Sequence, residues 1–223
     1  MPKETAFLLD LAERHPFIKG VVGWLDLCAP DIEKEIEGFA SNPRLKGMRM
    51  LIHDRIDPDF ADSKAHARGV GLLEPFRLTY DLLLRPQHLG SAIRLVDRLP
   101  NQRFVIDHIA KPVIGDAPDA RWSDGIRQAA KRPNVWCKLS GLPTLVPPGE
   151  FKLERLKPYL DFVLDAFGPS RVMIGSDWPV SSLRSDYGGT MALVETWSAR
   201  LSGGERAAVL GRTCAEFYRL PPS

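Results

Sequence analysis

Six short apolar runs, each ending on polar or charged residues and each followed by a stretch of helical spacing, leave few folds open to this chain. They cover 18–27, 46–53, 78–84, 103–108, 135–139 and 171–176. Runs of this length, rich in Val, Ile, Leu and Met, predict strands covered on both faces. Helical spacing predicts helices over 32–39, 58–67, 87–99, 122–130 and 153–167, with one more in front (4–15) and two at the end (189–201 and 204–218). Asp31 and Ser202 stand where helix caps belong, and Gly168-Pro169 closes the helix before the last strand. Successive strands start about 25 to 36 residues apart, the repeat of a β-α unit, so parallel pairing with right-handed crossovers follows. An open doubly wound sheet and an eight-stranded barrel both satisfy that pattern. Six strands suit the first, whereas cations inside strands, Arg49 and Lys138, favour a barrel whose inner face carries chemistry. No linker, repeat or low-complexity tract divides residues 1–223, which are expected to form a single domain.

Charge excludes several partners. Thirty Lys and Arg against 28 Asp and Glu leave a net charge of +2 without blocks of one sign, so neither nucleic acid nor a membrane surface is an expected partner. No apolar run approaches the roughly 20 residues of a membrane span, and the acids near the N-terminus are unlike a signal peptide. Cys28, Cys137 and Cys214 lie far apart and outside any Cys-x-x-Cys pattern, which fits the cytoplasm.

In parallel α/β folds, reacting groups gather where strands end. The 103–108 run ends Ile106-Asp107-His108, and the 171–176 run continues Gly175-Ser176-Asp177-Trp178-Pro179. An imidazole and a carboxylate at two such ends can act as metal ligands, as electrophile or as general base. Asp107, next to His108, is expected on the opposite side of the pleat, bound to backbone or helix. Lys138 and Ser140 share one face two residues apart, and a Lys there must meet a carboxylate or a substrate. Arg49 shares parity with Leu51 and His53, and its fork suits a carboxylate or vicinal hydroxyls. His53 and Asp54 follow in the next loop; His15, His66 and His88 read as surface residues; Cys137 alternates away from Lys138. No Gly-x-Ser-x-Gly, phosphate-binding Gly-rich loop or His-Glu-x-x-His occurs.

Five segments in order, Ile18-Lys-Gly-Val-Val-Gly-Trp-Leu-Asp-Leu27, Lys46-Gly-Met-Arg49, Asp107-His108-Ile-Ala-Lys-Pro112, Lys138-Leu-Ser-Gly141 and Gly175-Ser-Asp-Trp-Pro179, carry a family signal. The chain resembles the amidohydrolase-2 family of TIM-barrel hydrolases, in particular its sugar-lactonase branch. The resemblance implies a (β/α)8 barrel and hydrolysis of a small lactone. It gives Asp177 the part of base and places His108 near the carbonyl. Arg49, Lys138 and Ser140 would then contact substrate, and Trp178 would offer an apolar wall. The family's opening strand, with a His-x-His pair, and a second β-α unit have no counterpart here. The six runs therefore correspond to strands three to eight of an incomplete barrel, with about 55 to 65 residues absent in front at roughly 30 per unit. Such a chain is expected to be poorly soluble and inactive alone. A divalent, zinc-like metal is implied, with His108 and Asp177 its recognised ligands, one fewer than the three of catalytic zinc. A decarboxylase of the same superfamily and a non-catalytic, ligand-binding barrel remain alternatives. Loops 52–62 and 114–122 are expected to read the substrate hydroxyls.

Overall fold

The computed structural model describes residues 2–221. Its strands, β1 (Val21–Gly23), β2 (Leu45–Leu51), β3 (Thr79–Leu83), β4 (Phe104–Ile106), β5 (Val135–Leu139) and β6 (Val172–Ile174), lie side by side in chain order and all run parallel. Each falls on one of the six apolar runs. A doubly wound sheet reverses its strand order at a switch point and carries helices on both faces. The order here never reverses, so every crossover returns on the same side and the sheet curls into a half-barrel with a concave face. That arrangement discards the open-sheet alternative. β1 retains only three residues of the expected ten, and a register shift interrupts its pairing with β2.

The helices are α1 (Pro2–Arg14), α2 (Ile32–Ala40), α3 (Lys64–Gly71), α4 (Leu89–Arg98), α5 (Ala120–Ala130), α6 (Leu153–Phe167), α7 (Tyr187–Ser198), α8 (Gly203–Ala207) and α9 (Thr213–Tyr218). None of the described helices is long and apolar enough to cross a membrane. Two expectations shift. The helix expected over 58–67 begins only at Lys64, because the Asp59 amide donates to the Asp57 side chain (2.9 Å), a local turn that competes with helix. The final helix is broken by a wide π turn at Ala208–Arg212. Ser202 caps α8 in a reciprocal box with Glu205, whereas Asp31 makes no capping bond; Asp119 and Asp186 cap α5 and α7.

Alternation along the strands sorts two cores. Met48, Met50, Tyr80, Leu82, Phe104, Ile106, Cys137 and Leu139 belong to the large core beneath the helices. The opposite parity, Val22, Val105, Trp136 and Met173, meets Phe217 and Tyr218 of α9 in a second, smaller cluster. The C-terminal helix thus packs into the concave face.

His66 and His88 are fully buried rather than on the surface. His66 Nδ1–H donates to the Ala61 carbonyl (2.7 Å), and its Nε2 accepts from the Tyr80 hydroxyl (2.7 Å). His88 Nδ1 accepts from the Arg85 amide (3.2 Å) while Nε2–H donates to the Arg55 carbonyl (3.0 Å). A neutral imidazole with both nitrogens satisfied can be buried at little cost, which helix position alone does not reveal. His15 is exposed, as expected.

Candidate active site

The sheet register places the interior charges. Arg49 pairs in register with Asp81, Asp81 with Val105 and Val105 with Trp136. Two residues further along their segments, Asp107 and Lys138 therefore meet on the same concave face. Lys138 Nζ lies 2.5 Å from Asp81 Oδ2 and 2.8 Å from Asp107 Oδ1. Arg49 Nη1 donates to Asp107 Oδ2 (3.3 Å), and the Tyr218 hydroxyl donates to Asp81 Oδ2 (2.7 Å). Lys138 thus meets two carboxylates, as a cation on that face must.

These neighbours set the protonation states. Burial pushes the Asp107 carboxyl up, but Lys138, His108 and Arg49 outweigh it and hold Asp107 well below the usual carboxylate range. Asp81 goes the other way: its burial exceeds what Lys138 returns, and Asp107 adds repulsion, so its carboxyl is raised. Burial works against the charged Lys138, yet Asp107 and Asp81 hold its ammonium well above the ordinary lysine value.

Asp107 corrects the sequence reading. It keeps the parity of Val105 and faces the site, and it shares that face with His108 because alternation stops after Asp107. Beyond it His108, Ile109, Ala110 and Lys111 take positive φ of 53°, 48°, 61° and 48°. Left-handed backbone costs a non-glycine residue roughly 1–2 kcal/mol, so the surroundings must enforce it. Trp122 Nε1 donates to the Ile109 carbonyl (2.6 Å), and Ile109 and Ala110 are fully buried. The turn swings His108 back over the cavity that Asp107 already faces.

His108 Nδ1 is 2.8 Å from Ser140 Oγ, and its Nε2 is 3.7 Å from Asp177 Oδ1. A carboxylate facing Nε2 favours the tautomer in which Ser140 donates to Nδ1 and Nε2 carries the hydrogen. Burial lowers the imidazole's proton affinity more than Asp107 and Asp177 raise it, leaving His108 neutral near pH 7. Gly141, at φ +65°, lies against the ring; a Cβ there would sit 2.8 Å from His108 Nδ1. Gly141→Ala is expected to destabilise the fold by about 1–3 kcal/mol through backbone strain and to displace the imidazole. Thermal unfolding and the His108 ring signals by NMR check this; an unchanged melting point with unmoved ring signals would refute it.

A cavity of about 730 Å3 opens over these groups, lined by Arg49, Asp107, His108, Lys138, Ser140 and Asp177 among others. Trp178 lines it too, with 65% of its surface exposed. All six residues singled out from sequence therefore converge on one cavity. Its further walls come from residues 17–20 and Val22, from residues 173–175 with Pro179 and Val180, and from the C-terminal Cys214, Tyr218 and Leu220, not from loops 52–62 and 114–122. His53 and Asp54 pair with each other (3.1 Å), and burial, with Lys111 nearby, lowers the His53 imidazole to about 4. Asp81 and Tyr218 were not anticipated. A carboxylate within the apolar run 78–84 was the available signal for Asp81; no comparable signal marks Tyr218.

A model of the Amidohydrolase family matches residues 4–220, nearly the whole described chain. The chain belongs to the amidohydrolase family. It is 38% identical over 222 residues, 98% of its length, to an L-fucono-1,5-lactonase of Burkholderia ambifaria, covering 76% of that protein. Among solved structures it is similar to an amidohydrolase from Burkholderia multivorans with bound zinc, at TM-score 0.92 and 39% identity, over 98% of this chain and 80% of that one. A 5-carboxyvanillate decarboxylase from Sphingomonas paucimobilis, at 16% identity and TM-score 0.67 over 97% of this chain and 71% of that one, shares the amidohydrolase fold alone.

Proposed function

We propose that this chain hydrolyses the lactone ring of a small sugar acid, acting as a single barrel domain. One observation carries the assignment of parts: an imidazole and a carboxylate from different strand ends, 3.7 Å apart, at the wall of a cavity sized for a monosaccharide derivative. Asp177 accepts a proton from water as its oxygen adds to the ring carbonyl. His108 Nε2–H donates to the carbonyl oxygen as negative charge develops there. Asp177 then returns the proton to the departing ring oxygen, leaving the open hydroxy acid. Arg49, with 40% of its side chain exposed, is free to meet substrate hydroxyls beyond its bond to Asp107. Ser140 orients His108. Lys138 supports the site through Asp107, and Trp178 borders the sugar's C–H face.

A divalent metal fits these residues poorly. His108 and Asp177 supply two ligands, one short of catalytic zinc, and among the described residues no three His, Cys, Asp or Glu side chains gather as a metal site would need. No step is therefore routed through a metal.

The relatives' substrate is the first to try. Because Arg49, His108, Lys138, Ser140, Asp177 and Trp178 line one cavity within this chain, activity replaces the inactivity expected from sequence: L-fucono-1,5-lactone in a proton-release assay is expected to give kcat/KM of about 10⁴ M⁻¹s⁻¹ or more. No turnover above spontaneous hydrolysis across a set of aldonolactones would overturn the reading, and carbon dioxide release from an aromatic acid would replace it with the decarboxylase alternative.

A further inference from the structure

The interior charges form one chain of contacts from the C-terminal helix to the cavity. Tyr218 donates to Asp81 Oδ2, Lys138 bonds the same oxygen and reaches Asp107, and Asp107 accepts from Arg49. Strands β2, β3 and β5, the turn after β4 and helix α9 each supply one member. Asp81 and Asp107 are each 1% exposed, and Tyr218 is 8% exposed. Asp81 Oδ1 has no hydrogen-bond partner among the described residues, so both donors converge on Oδ2. Tyr218 also lies under the ammonium group, with Lys138 Nζ 5.3 Å from its ring centre. Its ring packs edge-on against Phe217, so it reaches Asp81 from a fixed position.

We infer that Tyr218 is a positioning residue for the reaction: its hydroxyl keeps Asp81 ionised, so that Lys138 stays shared between Asp81 and Asp107, and through Asp107 it sets Arg49 at the substrate. The kinetic part of this claim rests on the lactonase reading above. A buried carboxylate with two donors has only those donors to favour its charged form. Burial already raises the Asp81 carboxyl, with Lys138 as the chief opposing influence. Removing the hydroxyl raises it further, so Asp81 takes up a proton at a higher pH than in the parent. Lys138 then belongs to Asp107 alone, and the bond from Arg49 to Asp107 weakens by competition. Tyr218 carries out no chemistry in this account and touches none of the reacting atoms.

Tyr218→Phe removes one oxygen and keeps the ring packed against Phe217. Its kcat for the lactone is expected to fall about 3- to 10-fold, as the loss of one hydrogen bond worth about 1 kcal/mol implies. KM should move less than twofold, and the acid limb of the kcat profile should move to higher pH. A purely structural role would lower the melting temperature without moving that limb. Asp81→Asn tests the same chain from its other end: adding Tyr218→Phe to Asp81→Asn should cost nothing more in kcat. An infrared arm needs no turnover. Acidified Tyr218→Phe should show a protonated carboxyl band at a pH where the parent has none, absent from the double variant. A parental pH limb together with an unchanged carboxyl spectrum would overturn the inference. Absence of lactone turnover in the parent would overturn the lactonase reading, and the infrared result would still decide whether Tyr218 keeps Asp81 ionised.

Discussion

Asp177→Asn is expected to lower lactone turnover about 10²- to 10⁴-fold, the range general-base catalysis supplies, while leaving ligand binding within a few-fold. The amide keeps the shape of the carboxylate and loses the proton-accepting charge. It also loses the anion 3.7 Å from His108 Nε2, so the imidazole becomes harder to protonate. Asp177 has 18% of its side chain exposed and no part in the interior ion pairs with Lys138. Its replacement should therefore leave the melting temperature nearly unchanged. Steady-state kinetics with a substrate-analogue titration separates the outcomes: parental turnover would remove Asp177 from the chemistry, and lost binding with retained turnover per bound substrate would make it a recognition group.

Lys138→Met is expected to cost stability as well as activity. It leaves Asp81 and Asp107, both 1% exposed, without their shared cation. Removing one partner of a buried ion pair typically costs about 3–5 kcal/mol, or roughly 6–20 °C in melting temperature for a chain of this size. The pH dependence has a definite direction. Asp107 and His108 both bind protons less readily in the fold than at their ordinary values. The stability each contributes is complete above its unfolded pKa and is lost as pH falls toward the folded one. The parent should therefore weaken on acidification, beginning below about pH 6.5 for the histidine. In Lys138→Met, Asp107 loses the chief influence holding it down, so its share of that acid sensitivity shrinks. Asp81→Asn added to Lys138→Met should recover part of the loss by neutralising one stranded carboxylate. Thermal melts from pH 5 to 8 check both statements, and a Lys138→Met melt within 2 °C of the parent at pH 7 would be incompatible with them.

The sequence made the architecture readable because buried parallel strands and amphipathic crossovers repeat with a period that few folds share. The candidate site was readable to the extent that strand ends carry chemistry: His108 and Asp177 were found that way. Lys138 was assigned a carboxylate partner because a buried ammonium needs one, but which carboxylate depends on register. Only coordinates show that Arg49 lies beside Asp81 and that Lys138 meets both Asp81 and Asp107. Asp107 was misplaced because period-two alternation was carried past the last strand residue into a left-handed turn that no glycine announces. Tyr218 was invisible for another reason. Its place in the barrel interior depends on where a broken C-terminal helix comes to rest, and helical periodicity does not encode that.

The separation of the interior charges along the chain has a consequence for biosynthesis. Asp81 leaves the ribosome 57 residues ahead of its ammonium partner and 137 ahead of its phenol. Throughout that interval the nascent polypeptide carries a carboxylate in a hydrophobic segment with nothing to neutralise it. Long-range closures of this kind are slow to form, and hydrophobic segments left open while they wait invite aggregation. Yield of soluble product should therefore respond to translation speed and chaperone supply more than the finished fold's stability would suggest.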